Sequence, residues 1–369
     1  MEAAAERVRL GNEVYSDAQI ASTLSPKVQH LIILPTEKCN FRCVYCYEDF
    51  RIGKMQEPVI LGIERLIERR ISGLTQLSLS WFGGEPLMAR NIVLRLSAHA
   101  DRLSTQHGVA LDGGLTTNGF ILDYGLFEKL VSLRQRFFQI TFDGWQEAHD
   151  AVRQRVKGRS TFDRIWENVV ATRNSRLDFH IQIRVHLRRD NIDSVRVLLD
   201  RIAAAFGDDP RYTLDFQHLR DLGGEGGKSI HRPLTFAETR ELEVELRREY
   251  DAAVAKGAGR AASSHPQQNG RAVAGTPIGE VQGAAPGVSP YICYAAKPNS
   301  LLIRADGRIG KCTVALDDDR NTIGRINEDG SLTLDNGLLR PWIRGLGELD
   351  PQALACPLSG MSAAAAALG

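Results

Sequence analysis

The sequence lacks a strong excess of charge of either sign, and it lacks long apolar runs. It has 46 Lys and Arg residues against 45 Asp and Glu, which leaves a formal net charge of +1. We therefore expect no nucleic-acid partner and no membrane partner, because nucleic acids and anionic lipids attract strongly basic surfaces. No apolar run is long enough to cross a bilayer, and residues 1–14 lack the apolar segment of a signal peptide. The sequence thus predicts a cytoplasmic protein.

Cysteine is also scarce, at six of 369 residues, which excludes a disulfide-rich secreted scaffold. In a reducing compartment, cysteines more often bind metals or act in catalysis than form disulfides. Three lie close together near the start and three are spread over the last quarter: Cys39, Cys43, Cys46, Cys293, Cys312 and Cys356. The remaining composition, 43% hydrophobic and 25% charged, is that of a globular protein with a sizeable core.

From about residue 29 to residue 216, short apolar runs alternate with amphipathic stretches. This alternation is typical of β/α units on a parallel sheet. Six of the runs are predicted strands, the first at 30–34 and the last at 212–216. A complete barrel has eight, so the sequence predicts an α/β protein with a partial (β/α)6 TIM barrel.

Beyond the barrel, residues 236–255 predict a charged helix, and residues 256–289 predict a flexible linker because they are rich in Gly, Ala, Ser, Pro and Gln. Residues 301–303 and 309–312 flank a short turn and predict a β-hairpin. The predicted organisation is an N-terminal extension, a partial barrel, a helix with a linker, and a small hairpin-plus-helix extension: 1–28, 29–235, 236–290 and 291–369.

Cys39, Cys43 and Cys46 have the spacing Cys-x3-Cys-x2-Cys on the loop after the first predicted strand. In parallel α/β folds, this edge of the sheet carries the chemistry. Three thiolates can bind three irons of a [4Fe–4S] cubane, and the fourth iron then stays open. Such an iron can chelate the amino and carboxylate groups of a methionine moiety. The alternatives are a zinc site, which commonly needs a fourth ligand that no nearby His or Cys offers, or unrelated buried cysteines.

This loop resembles the signature of the radical SAM superfamily, in which an aromatic residue, here Tyr45, precedes the last cysteine. Three further elements resemble that family and follow successive predicted strands: Gly83-Gly84-Glu85-Pro86, Thr116-Thr117-Asn118-Gly119, and Thr141-Phe142-Asp143-Gly144 with His149, Asp150 and Arg153. The resemblance covers about residues 31–216. It implies a [4Fe–4S] cluster, reductive cleavage of S-adenosylmethionine (SAM) to a 5′-deoxyadenosyl radical, and an external flavodoxin- or ferredoxin-like electron donor.

The resemblance also implies which residues contact SAM, with glycine backbone and Glu85 near its amino group. These candidates are Tyr45, Gly83, Gly84, Glu85, Thr117, Asn118, Thr141 and Arg153. The charges of Glu48 and Asp49, just after the cysteine loop, are interpreted as solvated.

Residues 178–188 alternate strictly between apolar and polar side chains. Since the outer face of a barrel strand packs on helices, we expect Gln182, Arg184 and His186 to line a SAM and substrate cavity. Arg184 would pair with the SAM carboxylate, because a planar guanidinium can donate two parallel hydrogen bonds to a carboxylate. Arg153 competes for that role, unless it is a surface arginine. The alternative for the strand is a solvated face at a sheet edge.

The later cysteines fit Cys-x13-Gly-x4-Cys through Cys293, Gly307 and Cys312. This pattern resembles the opening of a SPASM or twitch extension, which implies an auxiliary Fe–S cluster with Cys356 as a third ligand. A full SPASM domain continues with more cysteines than this chain has. The alternative is that these are inert buried cysteines.

Together these elements resemble the peptide- and protein-modifying branch of the superfamily. The expected function is maturation of a ribosomally synthesised precursor peptide, by hydrogen abstraction and an oxidative cross-link (thioether, C–C or C–O). One alternative is a radical SAM enzyme that acts on a small molecule or on a sulfatase-type protein. A more distant alternative is a non-catalytic Fe–S or zinc-binding scaffold.

Overall fold

The computed structural model describes residues 15–261 and 291–361. The strands in these ranges are β1 Val28–Ile33, β2 Phe41–Cys43, β3 Gln76–Trp81, β4 Ala110–Thr117, β5 Gln135–Phe142, β6 Arg153–Arg155, β7 His180–Leu187, β8 Tyr212–His218, β9 Ser300–Ile303, β10 Arg308–Gly310, β11 Gly324–Ile326 and β12 Leu332–Leu334. The helices there are α1 Asp17–Leu24, α2 Glu57–Ile71, α3 Arg90–His107, α4 Tyr124–Ser132, α5 Gln146–Val152, α6 Phe162–Ala171, α7 Ile192–Phe206, α8 Gly224–Gly227, α9 Phe236–Ala261, α10 Asn336–Ile343, α11 Gly345–Glu348 and α12 Pro351–Ala355.

One large sheet carries the fold, in the order β12-β11-β10-β9-β1-β3-β4-β5-β7-β8. From β9 to β8 all neighbouring strands are parallel, because a helix crosses over between most consecutive strands. The crossover helices are amphipathic: α2, for example, buries Ile60, Ile63 and Ile67 on one face. The predicted partial (β/α)6 barrel, formed by β1, β3, β4, β5, β7 and β8, is confirmed.

Strand β7 shows how the barrel separates its two faces. Ile181, Ile183 and Val185 are fully buried on the outer face. On the other face, register places Arg184 beside Thr141 of β5 and Asp215 of β8. Because β7 has a neighbour on each side, the alternative of an edge strand is wrong.

The C-terminal extension continues the barrel sheet. The predicted hairpin is present as β9 and β10, and β9 pairs in parallel with β1. Strands β11 and β12 then lengthen the sheet in antiparallel fashion, and helices α10 to α12 follow. The first strand of the barrel, β1, and the first strand of the extension, β9, are therefore neighbours in one continuous sheet.

Two remaining expectations concern the segment between barrel and extension, and membrane spans. Helix α9 ends at Ala261 rather than at residue 255, and the rest of the predicted linker lies outside the described residues. No helix among the described residues is both long and apolar enough to span a membrane.

Candidate active site at the cysteine loop

The first three cysteines lie on the loop that follows β1, and each is partly exposed. Within this loop, β2 pairs antiparallel with β6, and Cys43 lies opposite Arg153. A loop at the C-terminal edge of the sheet is thus fixed by main-chain hydrogen bonds to the segment that follows β5. The cysteine loop is thereby held near one end of the barrel.

The surroundings of the cysteine sulfurs fit an Fe–S cluster. The Phe41 N–H donates to Cys39 Sγ at 3.3 Å, and the Asn118 amide lies 3.9 Å from the same sulfur. Such N–H donors to sulfur are common around cluster thiolates and tune their potential. Burial, and then the charge of Glu48, raise the pKa of the Cys46 thiol to about 12, so metal binding would have to drive its deprotonation.

No three His, Cys, Asp or Glu side chains of the described ranges are arranged around a single ion. The lack of a shared single-ion site does not disfavour a cubane cluster, because each cysteine thiolate of a cubane binds a different iron. The donor set therefore fits a [4Fe–4S] cluster on Cys39, Cys43 and Cys46 better than it fits zinc.

Tyr45, between the second and third cysteines, anchors the loop in a buried polar network. Its hydroxyl donates to the fully buried Asp143 carboxylate and accepts from Arg153 Nη1 at 2.9 Å. His186 Nδ1 lies 3.3 Å from the same hydroxyl and 3.2 Å from Asp143 Oδ1. Burial alone would raise the pKa of Asp143, but His186 and Arg153 hold it below its usual value. Arg153 is 8% exposed, so its interpretation as a surface arginine is wrong.

Glu85 joins the ends of β3 and β4. Its fully buried carboxylate accepts from Leu87 N at 3.0 Å, Thr117 Oγ1 at 2.8 Å and Asn118 N at 2.7 Å. The Asn118 side chain then donates to Asn40 on the cysteine loop at 2.8 Å. Glu85, Thr117 and Asn118 thus lie in one hydrogen-bond chain that ends beside the first cysteine.

Gly83 and Gly84 allow two loops to pass at close range. A Cβ atom at Gly83, whose φ is 111°, would collide with the carbonyl of Thr36, and one at Gly84 would collide with that of Lys38. The glycines therefore have a packing reason that is independent of any ligand. Contact of their main chain with SAM remains a prediction.

The polar face of β7 contacts this site through His186, which lies beside Tyr45. Arg184 Nε donates to Asp215 at 2.7 Å, and both side chains are largely buried. The Nη2 atom of Arg184 is buried without a hydrogen-bond partner among the described residues, as is Oε1 of Gln182. Buried polar atoms without partners are costly, so this part of the lumen has the capacity to bind a polar ligand.

The extension is fastened to the cysteine loop by a buried ion pair. Arg304 donates to Glu37 at 3.0 and 2.6 Å, and the exposed fractions of the two side chains are 5% and 3%. Tyr47 donates to the Thr313 carbonyl at 3.3 Å. The Oε2 atom of Glu48 is buried nearby, and burial, followed by the charge of Glu37, raises the pKa of Glu48 to about 8. The prediction of a solvated Glu48 is wrong.

A glycine-rich segment, residues 223–227, which includes the short helix α8, packs on the cysteine loop and is absent from the predicted elements. A Cβ atom at Gly226 would collide with the main chain of Cys46, and Ser229 Oγ donates to the Val44 carbonyl at 2.6 Å. The available signal was four glycines in five residues, six residues after the last predicted strand.

The later cysteines come close enough to influence one another. Cys293 and Cys312 are buried, and Cys356 is partly exposed. Burial, and to a smaller extent the neighbouring thiols of Cys293 and Cys356, raise the pKa of Cys312 to about 12. The Cys293 N–H also donates to the Leu354 carbonyl at 2.8 Å, and this hydrogen bond links Cys293 to α12. An auxiliary cluster at these cysteines remains a prediction.

Comparison with known sequences identifies the barrel. Residues 33–202 match the Radical SAM superfamily. A GTP 3′,8-cyclase of Xanthomonas campestris is 28% identical over 216 residues, which cover 56% of this chain and 58% of that protein. A serine-type anaerobic sulfatase-maturating enzyme of Klebsiella aerogenes is 25% identical over 171 residues, 45% of this chain and 42% of that protein. The chain thus spans about half the length of these relatives.

Solved structures share the fold over most of the chain. Native anSMEcpe with bound AdoMet and Cp18Cys peptide has a TM-score of 0.57 at 16% identity, over 86% of this chain and 83% of that one. Streptococcus suis SuiB bound to precursor peptide SuiA has a TM-score of 0.56 at 15% identity, over 88% and 67%. The predicted resemblance is confirmed for the fold.

Proposed function

We propose that this chain, which carries a radical SAM domain at residues 33–202, abstracts hydrogen from a ribosomally synthesised peptide and installs an oxidative cross-link. The observation that carries the proposal is the joining of the two cysteine groups. Arg304–Glu37 and Tyr47–Thr313 connect the loop of Cys46 to the segment of Cys312. A peptide substrate is supported by the two structures of similar fold that hold peptides.

Cys39, Cys43 and Cys46 would hold a [4Fe–4S] cluster, which when bound supplies the electron that cleaves SAM to methionine and a 5′-deoxyadenosyl radical. The chain's own part is binding and positioning. Arg184, with its unpartnered Nη2, would bind the SAM carboxylate. The hydrogen-bonded Tyr45 would keep the cysteine loop in one conformation.

A cross-link requires a second oxidation of the substrate. The first hydrogen atom ends in 5′-deoxyadenosine, and bond formation then releases one proton and one electron. Cys293, Cys312 and Cys356 would hold an auxiliary cluster, which would supply a one-electron acceptor for this oxidation, with an external protein as the final acceptor. We place this chemistry in the cytoplasm, with a flavodoxin- or ferredoxin-like protein as the electron donor for SAM cleavage.

The test is anaerobic reconstitution with iron, sulfide, dithionite and SAM. We expect 5′-deoxyadenosine, and with a precursor peptide encoded beside this gene we expect a product that lacks two hydrogen atoms. Absence of 5′-deoxyadenosine from iron-loaded protein would refute the proposal. Cleavage stimulated by GTP or by a sulfatase peptide instead would favour the functions of the cyclase and sulfatase-maturating relatives.

A further inference from the structure

The two-stranded ribbon formed by β2 and β6 has an inner face toward the active site and a second face toward solvent. Phe41 and Arg153 are buried on the inner face, which also carries Cys43. Arg42 and Val44, the chain neighbours of Cys43, are exposed. Because side chains alternate along a strand, these two neighbours point away from Cys43. The solvent face therefore lies behind the proposed cluster, separated from Cys43 by the thickness of one strand pair.

The solvent face has an apolar centre. Val44 is 45% exposed and Val156 is 47% exposed. The ladder continues past the strand ends, since the Val44 N–H donates to the Val152 carbonyl at 2.9 Å and the Val156 N–H to the Asn40 carbonyl at 3.1 Å. The alternation thus places both exposed valines on the same face as Arg42. An apolar centre within a polar rim is the usual anatomy of a protein contact surface.

The rim of this face is basic, although the chain as a whole is nearly neutral. Residues 38–47 and 151–160, which contain the two strands, have six Lys and Arg residues and no Asp or Glu. The whole chain has 46 basic residues against 45 acidic ones. Four of the six cations are exposed: Lys38, Arg42, Lys157 and Arg159.

Neighbouring acids do not neutralise these four exposed cations. Within the described ranges, none of the four forms an ion pair. Of the acids that flank the ribbon, Glu37 pairs with Arg304, and Asp150 accepts from main-chain N–H groups at the start of α6. On α8, which packs on the cysteine loop, Glu225 pairs with Lys228 at 2.7 Å. The ribbon therefore presents uncompensated positive charge to solvent.

A partner on the solvent face is placed to exchange electrons with the site but not atoms. Arg153 and Arg184, the candidates for binding SAM, lie on the inner face of the ribbon and in the lumen. A peptide substrate docked outside would have the ribbon between itself and SAM. The positive rim complements a negatively charged protein surface, and such complementarity accelerates association.

We infer that the solvent face of the β2–β6 ribbon docks an acidic one-electron carrier protein, of the flavodoxin or ferredoxin class, that reduces the cluster. One electron would pass from the reduced carrier to the cluster, and no proton or chemical group would cross the ribbon. The inference rests on the proposed function for the cluster, whereas the preference for an acidic partner follows from the surface charge alone.

The probes are an acidic flavodoxin and cytochrome c, a basic one-electron carrier, titrated calorimetrically into the anaerobically reconstituted full chain. At an ionic strength of about 0.05 M, we expect flavodoxin to bind at least about tenfold more tightly than cytochrome c. Raising the ionic strength to about 0.5 M should remove most of this difference, because exposed charges are then screened.

The variant Lys157→Glu/Arg159→Glu reverses two charges of the rim and should weaken flavodoxin binding at least about tenfold. Formation of 5′-deoxyadenosine driven by limiting reduced flavodoxin should fall in parallel. Cleavage driven by dithionite should stay unchanged, because this small reductant needs no docking surface. The matched control is Arg102→Glu/Lys129→Glu, which changes the net charge equally at exposed positions near the ends of α3 and α4. Crossover helices run back along the sheet, so these positions lie at the opposite end of the barrel.

The control variant should bind flavodoxin within about twofold of the unmodified protein. Unchanged binding in the ribbon variant, an equal loss in both variants, or flavodoxin binding no tighter than that of cytochrome c would overturn the inference. A DNA duplex of about 20 base pairs is titrated as a second polyanion, and tighter binding of the duplex than of flavodoxin would overturn it in favour of a nucleic-acid partner. Absence of cleavage with either reductant would refute the proposed function alone, because the docking preference is measured by calorimetry.

Discussion

The two groups of cysteines differ in how the chain assembles them. Cys39, Cys43 and Cys46 share one loop, which is held by Asn118 after β4, by Arg153 through Tyr45, and by the β2–β6 pairing. Cys293, Cys312 and Cys356 are brought together by a hairpin and a distant helix. The first site is local in sequence and supported from several sides, whereas the second is assembled from segments of the extension that are far apart in sequence.

This difference separates the roles that each group can have. A site at the C-terminal edge of a barrel can lose its metal without loss of the core, because loops there contribute little to packing. Of the later cysteines, Cys293 and Cys312 are buried in the hydrophobic core that the extension shares with the barrel. Changes at the first group should therefore act on chemistry, and changes at the second group should act on metal content and on packing.

The largest expected effect is on SAM cleavage. Changing Cys39, Cys43 and Cys46 together to Ala should leave no 5′-deoxyadenosine above background, because the ligands of the open-iron cluster are gone. The far-ultraviolet circular dichroism and the melting temperature of the iron-free proteins should stay similar. Chromatographic assay of 5′-deoxyadenosine under dithionite is the measurement, and residual cleavage by the triple variant would contradict the assignment.

The second prediction concerns the ion pair that joins the two regions. Arg304→Met leaves the Glu37 carboxylate buried without its partner, which should lower the free energy of unfolding by about 3–5 kcal/mol. The double variant Arg304→Met/Glu37→Gln removes the unpaired charge and should recover part of that loss. Urea denaturation of the iron-free proteins measures both. A loss below about 1 kcal/mol would mean that the extension does not depend on this contact.

The third prediction tests the lumen beneath the first group. Arg184→Ala should weaken SAM binding at least tenfold, since loss of one side of a desolvated charge pair commonly costs about 2–5 kcal/mol. Arg184→Lys should recover only part, because an ammonium cannot replace a planar fork that also binds Asp215. Equilibrium dialysis with SAM is the measurement. Affinities unchanged within about twofold would move the assignment to Arg153.

The same contrast explains how much the sequence could predict. The parallel core and the polar face of β7 follow from local periodicity, which predicts that Arg184 and His186 share one face; in the structure Arg184 lies beside Asp215 and His186 beside Tyr45. The pairing of β9 with β1 joins residues far apart in the chain, and no local pattern indicates it. The surroundings of Glu48 likewise combine residues far apart in the chain, with Glu37 from the barrel and Arg304 from the extension. From the sequence, the charge of the Glu48 side chain predicts only that this side chain is exposed to solvent.

The smallest expected effect, a factor of about two in iron content, bears most directly on the second group of cysteines. The anaerobically reconstituted chain should bind about eight irons if both groups hold cubanes, and the variant Cys293→Ser/Cys312→Ser should bind about four. Serine keeps the volume of the buried side chains close to that of cysteine. The extension should therefore stay docked and keep the Arg304–Glu37 contact. The double variant should therefore still cleave SAM without forming the cross-linked peptide, because the electron released on bond formation then has no acceptor. Iron and sulfide assays with parallel measurement of 5′-deoxyadenosine separate these effects. About four irons in the unmodified protein, with no loss in the double variant, would assign Cys293 and Cys312 to the core of the extension and leave the cysteine loop as the site of all bound iron.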